Sequence, residues 1–176
     1  MSESFSDQLI ALLPRLRRFA RGLTGSVTAA DDLVQSACER ALSRSHQFQE
    51  GTRFDSWLFR IMQTIWIDQL RARGVRKEEP EDAAAQIGTD LPARMIEARI
   101  RLGEVRAALN TIPPEQRAAL LLVTVEGLSY KEAAQIAKVP VGTIMSRLAR
   151  ARVALEARLG IGTGSDHRRS MDDAAE

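Results

Sequence analysis

Residues 128–152 read LSYKEAAQIAKVPVGTIMSRLARAR, and the fold turns on how this stretch is read. Ser129 and Glu132 have the S-x-x-E spacing of a capping box, in which hydroxyl and carboxylate each satisfy an amide orphaned at a helix start, so a helix is predicted from Tyr130. Ala133, Ala134, Ile136 and Ala137 give it a small apolar face on which a second helix can cross closely, and Lys138-Val139 supplies the turn. Pro140 is predicted to open the second helix, where its set φ fits and its missing N–H costs nothing. There Ile144, Leu148, Ala151 and Leu155 recur at three- and four-residue spacing and face inward, leaving Thr143, Ser146, Arg147 and Arg150 on the other side. Hydroxyls and guanidinium groups on such a helix suit a DNA major groove, because both address base edges and arginine also neutralises phosphate. The plain alternative is a solvated charged face, and the capped helix-turn-helix setting argues against it.

The chain has 176 residues, enough for one ordinary domain or two small ones. Hydrophobic content of 44% supports real cores, while 5% aromatics and few alternating β-branched runs favour helices over sheets. The formal net charge is only +2, so basic character must be local to matter, and it is: Arg15 to Arg21, Arg71 to Lys77 and Ser146 to Arg152 are basic, whereas Glu78 to Asp82 and the C-terminal MDDAAE are acidic. The single cysteine, Cys38, has no partner for an internal disulfide and falls beside Val34, Ala37 and Ala41, as buried packing would. No leader-like start and no membrane-length apolar run are visible, so a cytoplasmic protein without membrane insertion is expected.

Working back toward the N-terminus, Leu9, Leu12, Leu13, Leu16, Phe19, Ala20 and Leu23 trace a helix from about Phe5 to Leu23, stopped by Gly22 and Gly25. Thr28 is predicted to cap a second helix with inner stripe Leu33, Val34, Ala37, Ala41 and Leu42. His46 to Arg53 reads as a loop, and Phe54, Trp57, Leu58, Ile61, Met62, Ile65 and Leu70 resume helical spacing to about Arg73. Gly74, Pro80, Gly88 and Pro92 interrupt the periodicity. Ile96, Ile100, Leu102, Val105 and Leu109 then build a helix ending before Pro113, and Pro114 starts another that reaches Gly127. The expected architecture is all-α, with two small helical domains at 1–73 and 96–159, a flexible linker at 74–95 and a disordered tail at 160–176.

Chemistry for catalysis is sparse. GIGTG (Gly160 to Gly164) follows a helix, the reverse of the strand-loop-helix setting of a phosphate loop. His46 and His167 are the only histidines and stand far apart, so no catalytic residues, cofactor site or metal site is expected. Trp57 reads as core, while Trp66 is out of phase with the stripe and is as well placed to stack on an unpaired base.

Two separate segments resemble one family, the extracytoplasmic-function (ECF) group of bacterial sigma-70 factors, over about residues 9 to 159. ADDLVQ (Ala30 to Gln35) is similar to the segment with which these factors grip the β′ clamp coiled coil of RNA polymerase; FDSWLFRI (Phe54 to Ile61), with Asp68 and Arg71, is similar to their promoter-melting helix. PPEQRAALLLVTVEGLSYKEAA and PVGTIMSRLARAR are similar to their −35 recognition domain. The resemblance implies an initiation factor, not an enzyme, that binds core polymerase (β′ clamp and β subunit) through Asp31, Asp32 and Gln35. It implies −10 DNA contacts at Phe54, Arg60, Thr64, Trp66, Asp68 and Arg71, −35 contacts at Thr143, Met145, Ser146, Arg147, Ala149 and Arg150, and an anti-sigma factor as a further partner. The chain departs from the family pattern at Ser36, where an acidic residue is usual, at Thr64, where Asn is usual, at Met145, where Lys or Arg is common, and at Lys138, where a turn glycine is common.

Two other functions fit parts of the sequence. A stand-alone helix-turn-helix regulator leaves ADDLVQ and FDSWLFRI unexplained, and a sigma-like decoy that sequesters an anti-sigma factor has no use for the basic recognition helix. If the free protein is held by a partner clamping both domains, the domains alone are expected to sample a range of distances.

Overall fold

The computed structural model describes residues 4–76 and 93–160. The stretch read as a linker lies largely outside them, at 77–92, as does the tail beyond Gly160, including most of GIGTG and His167. Helices account for all the regular structure among the described residues.

Ser4 caps α1 (Phe5–Thr24) by accepting from the Asp7 N–H, and Gly25 ends it at φ 72°, returning its N–H to the Arg21 carbonyl. Gly22, read above as a stop, lies inside the helix. Pro14 is also interior; the carbonyl it leaves unpaired is that of Ile10, whose residue is 63% exposed and can use water instead. The next helix, α2 (Val27–Ser43), is capped by Ser26 through the Ala29 N–H, not by Thr28, because Ser26 is the residue in extended backbone at the turn. A 3-10 turn at Ser45–Gln47 and a bend at Gly51 (φ 86°) lead into α3 (Phe54–Arg76). Leu16, Phe19, Leu23, Leu33, Leu58, Phe59 and Met62 are fully buried between these three helices. Phe5, Phe48, Phe54 and Trp57 gather at one end, with Phe5 and Phe54 centroids 4.9 Å apart and Phe48 and Phe54 5.0 Å apart, both edge-on.

The second block comprises α4 (Ala93–Asn110), α5 (Pro114–Thr124), α6 (Tyr130–Ala137) and α7 (Val141–Leu159). Both halves of the capping box at Ser129 and Glu132 are formed. Lys138 closes α6 in the left-handed conformation (φ 54°, ψ 46°), and the Val139 N–H returns to the Ala134 carbonyl at 3.1 Å. Pro140 caps α7 from extended backbone and does not join it, so the helix starts one residue later than expected. Ile144, Leu148 and Ala151 are buried as predicted, whereas Leu155 is half-buried. On α4 the periodicity misleads: Ile100, Leu102 and Val105 are exposed, and Ala108 is the buried contact. A helix packed along only part of its length leaves the rest of its apolar stripe in solvent.

The two blocks pack directly on one another, through α1 against α5 and α3 against α6, and their buried residues form one continuous cluster. Gly22 is a point of close approach between them: a Cβ there would lie 2.8 Å from both terminal methyl carbons of Leu121 on α5. The two helical blocks expected from the sequence are both present and, in this structure, lie in contact with each other.

Candidate nucleic-acid interface

On α7, Ala149 and Arg150 are exposed, Met145 is 43% exposed, and Thr143, Ser146 and Arg147 are half-buried along the same side. The Ser146 hydroxyl donates to the Thr143 carbonyl at 3.0 Å, which uses its one proton and leaves its oxygen able to accept. Arg147 and Arg150 pair with no carboxylate among the described residues. None of the six residues expected to contact −35 DNA is buried, and they lie on the parts of α7 not occupied by Ile144, Leu148 and Ala151.

The α3 face is different. Phe54 is 8% exposed and belongs to the aromatic cluster, and Trp66 is 3% exposed beneath the guanidinium of Arg117, 5.6 Å from its ring centre. Thr64, Asp68 and Arg71 are exposed; Thr64 Oγ1 donates to the Arg60 carbonyl at 2.8 Å, and Arg71 lies 3.9 Å from Asp68. Arg60 Nη2 donates to the Gln135 carbonyl of α6 at 2.9 Å. The six expected −10 residues therefore divide into two buried, one held by α6, and three open to solvent.

A strip of charge that sequence reading missed runs beside this face. Arg15 donates from Nη1 to Asp55 at 3.0 Å and from Nε to Glu126 at 3.1 Å, and Arg18 forks onto both oxygens of Glu126 at 3.2 and 3.1 Å. Arg53 forks onto Asp55 at 3.1 and 2.7 Å and also reaches Glu132. Burial alone would raise the Asp55 carboxyl, but hydrogen bonds from Arg53 and Arg15 outweigh it and bring the pKa down to about 2. Glu132 is also lowered, first by the Ser129 backbone N–H and hydroxyl and then by Arg53. Arg117, with no acidic partner among the described residues, donates to the Leu23 carbonyl at 2.7 Å and to Asn110 Oδ1 at 3.0 Å, and desolvation pushes it down to about 10. The Arg15 to Arg21 cluster was the one available signal for this strip; that Glu126 and Glu132 cover it depends on contacts more than seventy residues apart in sequence.

On the far side of the first block, Asp31, Asp32 and Gln35 are exposed along one edge of α2, with Gln35 Nε2 donating to Glu39 at 3.0 Å. Between α1 and α2 lies a groove of about 540 Å³, floored by Leu13, Val34 and Cys38 and rimmed by Arg17, Arg21, Asp31 and Gln35. Cys38 is half-buried, not fully packed, because α1 does not close over this end of α2; burial still raises its thiol pKa. Among the described residues no cluster of His, Cys, Asp and Glu is suited to a metal ion, and no helix is long and apolar enough to cross a membrane.

The two blocks match two family models separately: residues 9–63 match the Sigma2 domain of PhyR, and residues 102–155 match sigma-70 region 4. The chain is 38% identical over 166 residues to the ECF RNA polymerase sigma factor EcfG of Rhodopseudomonas palustris, covering 94% of this chain and 91% of that protein. It is 34% identical to the ECF sigma factor SigM of Mycobacterium tuberculosis, over 93% of this chain and 82% of that one. Among solved structures it resembles the sigma factor RpoE of Bartonella quintana, determined in complex with the anti-sigma factor NepR, with a TM-score of 0.73, 32% identity and coverage of 90% and 98% of the two chains. The chain belongs to the ECF group of sigma-70 family RNA polymerase sigma factors. It is a transcription initiation factor, in a family whose members bind polymerase and promoter DNA and are not enzymes.

Proposed function

We propose a division of labour within this sigma factor. Asp31, Asp32 and Gln35 form the edge that grips the β′ clamp of core polymerase, with the apolar floor of the neighbouring groove available to a clamp helix, and the second block adds contacts to the β subunit. The α7 face from Thr143 to Arg150 reads the −35 element, and α3 with the loop at 46–53 engages and opens the −10 element, holding a flipped base whose unstacking must be offset by pocket contacts. The observation that carries this reading is the unpaired arginine face of α7 on the same chain as an exposed ADDLVQ edge; a decoy that only captures a regulator needs neither. An anti-sigma factor is the regulatory partner, by analogy with the Bartonella relative, and the work is done in the cytoplasm, where polymerase is.

Run-off transcription with core polymerase and a promoter library tests this directly, since it reports activity and base preference together. Asp32→Ala with Gln35→Ala is expected to fold normally by circular dichroism yet lower core affinity at least about tenfold, as loss of charged partners in a desolvated interface does. Unchanged core affinity would remove the assignment, and tight, specific duplex binding with no polymerase-dependent transcript would favour a stand-alone regulator.

A further inference from the structure

Three guanidinium groups, of Arg15, Arg18 and Arg53, face three carboxylates, of Asp55, Glu126 and Glu132, and two of those carboxylates belong to the second block. Without that block the strip carries a net charge of +2, and Arg60 beside it loses the Gln135 carbonyl as well. The Glu126 side chain is fully buried between Arg15 and Arg18, and the Arg18 fork grips it through two parallel bonds. A planar guanidinium fork takes a carboxylate or a phosphate with the same geometry. The strip also lies beside α3, the helix assigned above to the promoter, whose Trp66 is buried with Arg117 of the second block over its ring.

We propose that Glu126 and Glu132 stand in for phosphate on this strip, so that the described form is self-occluded. Opening of the second block turns Arg15, Arg18 and Arg53 into a site for a nucleic-acid backbone. The proposal rests on the reading that the chain binds promoter DNA, and it assigns residues of α1 that lie outside the recognition and melting helices. Covalent connection does not forbid the movement: residues 77–92, fully extended, reach at most about 55 Å. Closure and backbone binding then compete for the same arginines, and anything that separates α5 from α1 raises affinity for DNA.

Two full-length variants open the interface by different means. Gly22→Gln places a long side chain against Leu121 with no change in charge, and Glu126→Gln with Glu132→Gln removes both carboxylates while Gln at position 132 can still complete the capping box. Small-angle scattering should show both to be larger than the parent. Titration of a labelled duplex lacking promoter sequence should show at least about fivefold tighter binding, with a salt dependence steeper by about two units for two further phosphates neutralised. Adding Arg15→Gln and Arg18→Gln to Gly22→Gln should leave the expansion and abolish the gain. Glu97→Gln with Glu104→Gln, on the exposed side of α4, is the charge-matched control and should do neither. If the variants expand without binding more tightly, the strip is not a phosphate site; if neither expands, the glutamates and the Gly22 contact do not hold the closed form; an equal gain in the control reduces the effect to net charge. Each of these overturns the proposal. Run-off transcription is scored separately, so an occluded strip on a protein that fails to initiate would count against the functional reading alone.

Discussion

Arg147 and Arg150 on α7 form no ion pair among the described residues, whereas Arg53, just before α3, and Arg60 within it end on Glu132 and on the Gln135 carbonyl of α6. Both faces carry the residue types expected for DNA, but they stand at different stages of readiness. The α7 face is complete once α6 and α7 have packed, because Ile144, Leu148 and Ala151 anchor one side and leave the other open. The α3 face is only partly open: Phe54 and Trp66 are buried and Arg60 is held by α6, while Thr64, Asp68 and Arg71 face solvent. A basic surface on a helix is therefore available or hidden according to what stands beyond it.

The contrast can be tested most severely at Trp66. If it is a core residue of the covered face, Trp66→Ala should destabilise the free protein by about 3–5 kcal/mol in urea unfolding; a loss below about 1 kcal/mol would place the indole in solvent and make the two faces alike. A smaller effect is expected at Asp55. Its carboxyl pKa is depressed from 3.8 to about 2, so the stabilisation it contributes is present above about pH 4 and is lost as pH falls toward 2. The linked change is roughly 2 kcal/mol, and Asp55→Asn should flatten the pH dependence of the unfolding midpoint in that window. On the open face, Arg150→Ala should weaken duplex binding severalfold and reduce the salt slope by about one unit if it neutralises one phosphate, with no change in unfolding free energy beyond about 0.5 kcal/mol. If Arg150 reads a base, preference at one position relaxes instead. The smallest effect belongs to the turn that aims α7: Lys138→Gly should stabilise by about 1 kcal/mol, because glycine adopts φ 54° without the Cβ penalty. A loss of stability there would mean that Lys138 has a role the left-handed backbone does not explain.

Local chemistry was legible wherever neighbours in sequence decide it. The capping box, the left-handed turn, the buried stripe of α7 and the long apolar face of α1 all follow from residues within a few positions of one another. Thr28 lost the cap of α2 to Ser26 and Pro140 stayed outside α7, shifts that turn on one or two backbone dihedrals. Ile100, Leu102 and Val105 carried a helical period with no core to meet, because periodicity shows which residues share a face and says nothing about whether another element covers it. Gly22 looked like a helix stop and is a close-approach site, since the reason for its missing side chain is Leu121, about a hundred residues away.

From the sequence alone come the all-α class, the helix-turn-helix, the resemblance to ECF sigma factors and the candidate DNA and polymerase residues, because capping, periodicity and motif spacing are short-range properties of the chain. The tertiary structure alone decides that Trp66 lies under Arg117, that Glu126 is buried between Arg15 and Arg18, and that Glu132 both caps α6 and holds Arg53. Each of these joins groups distant in sequence, and whether a charge is free or paired depends on which carboxylate the fold carries to within hydrogen-bond reach, a distance that no local pattern encodes.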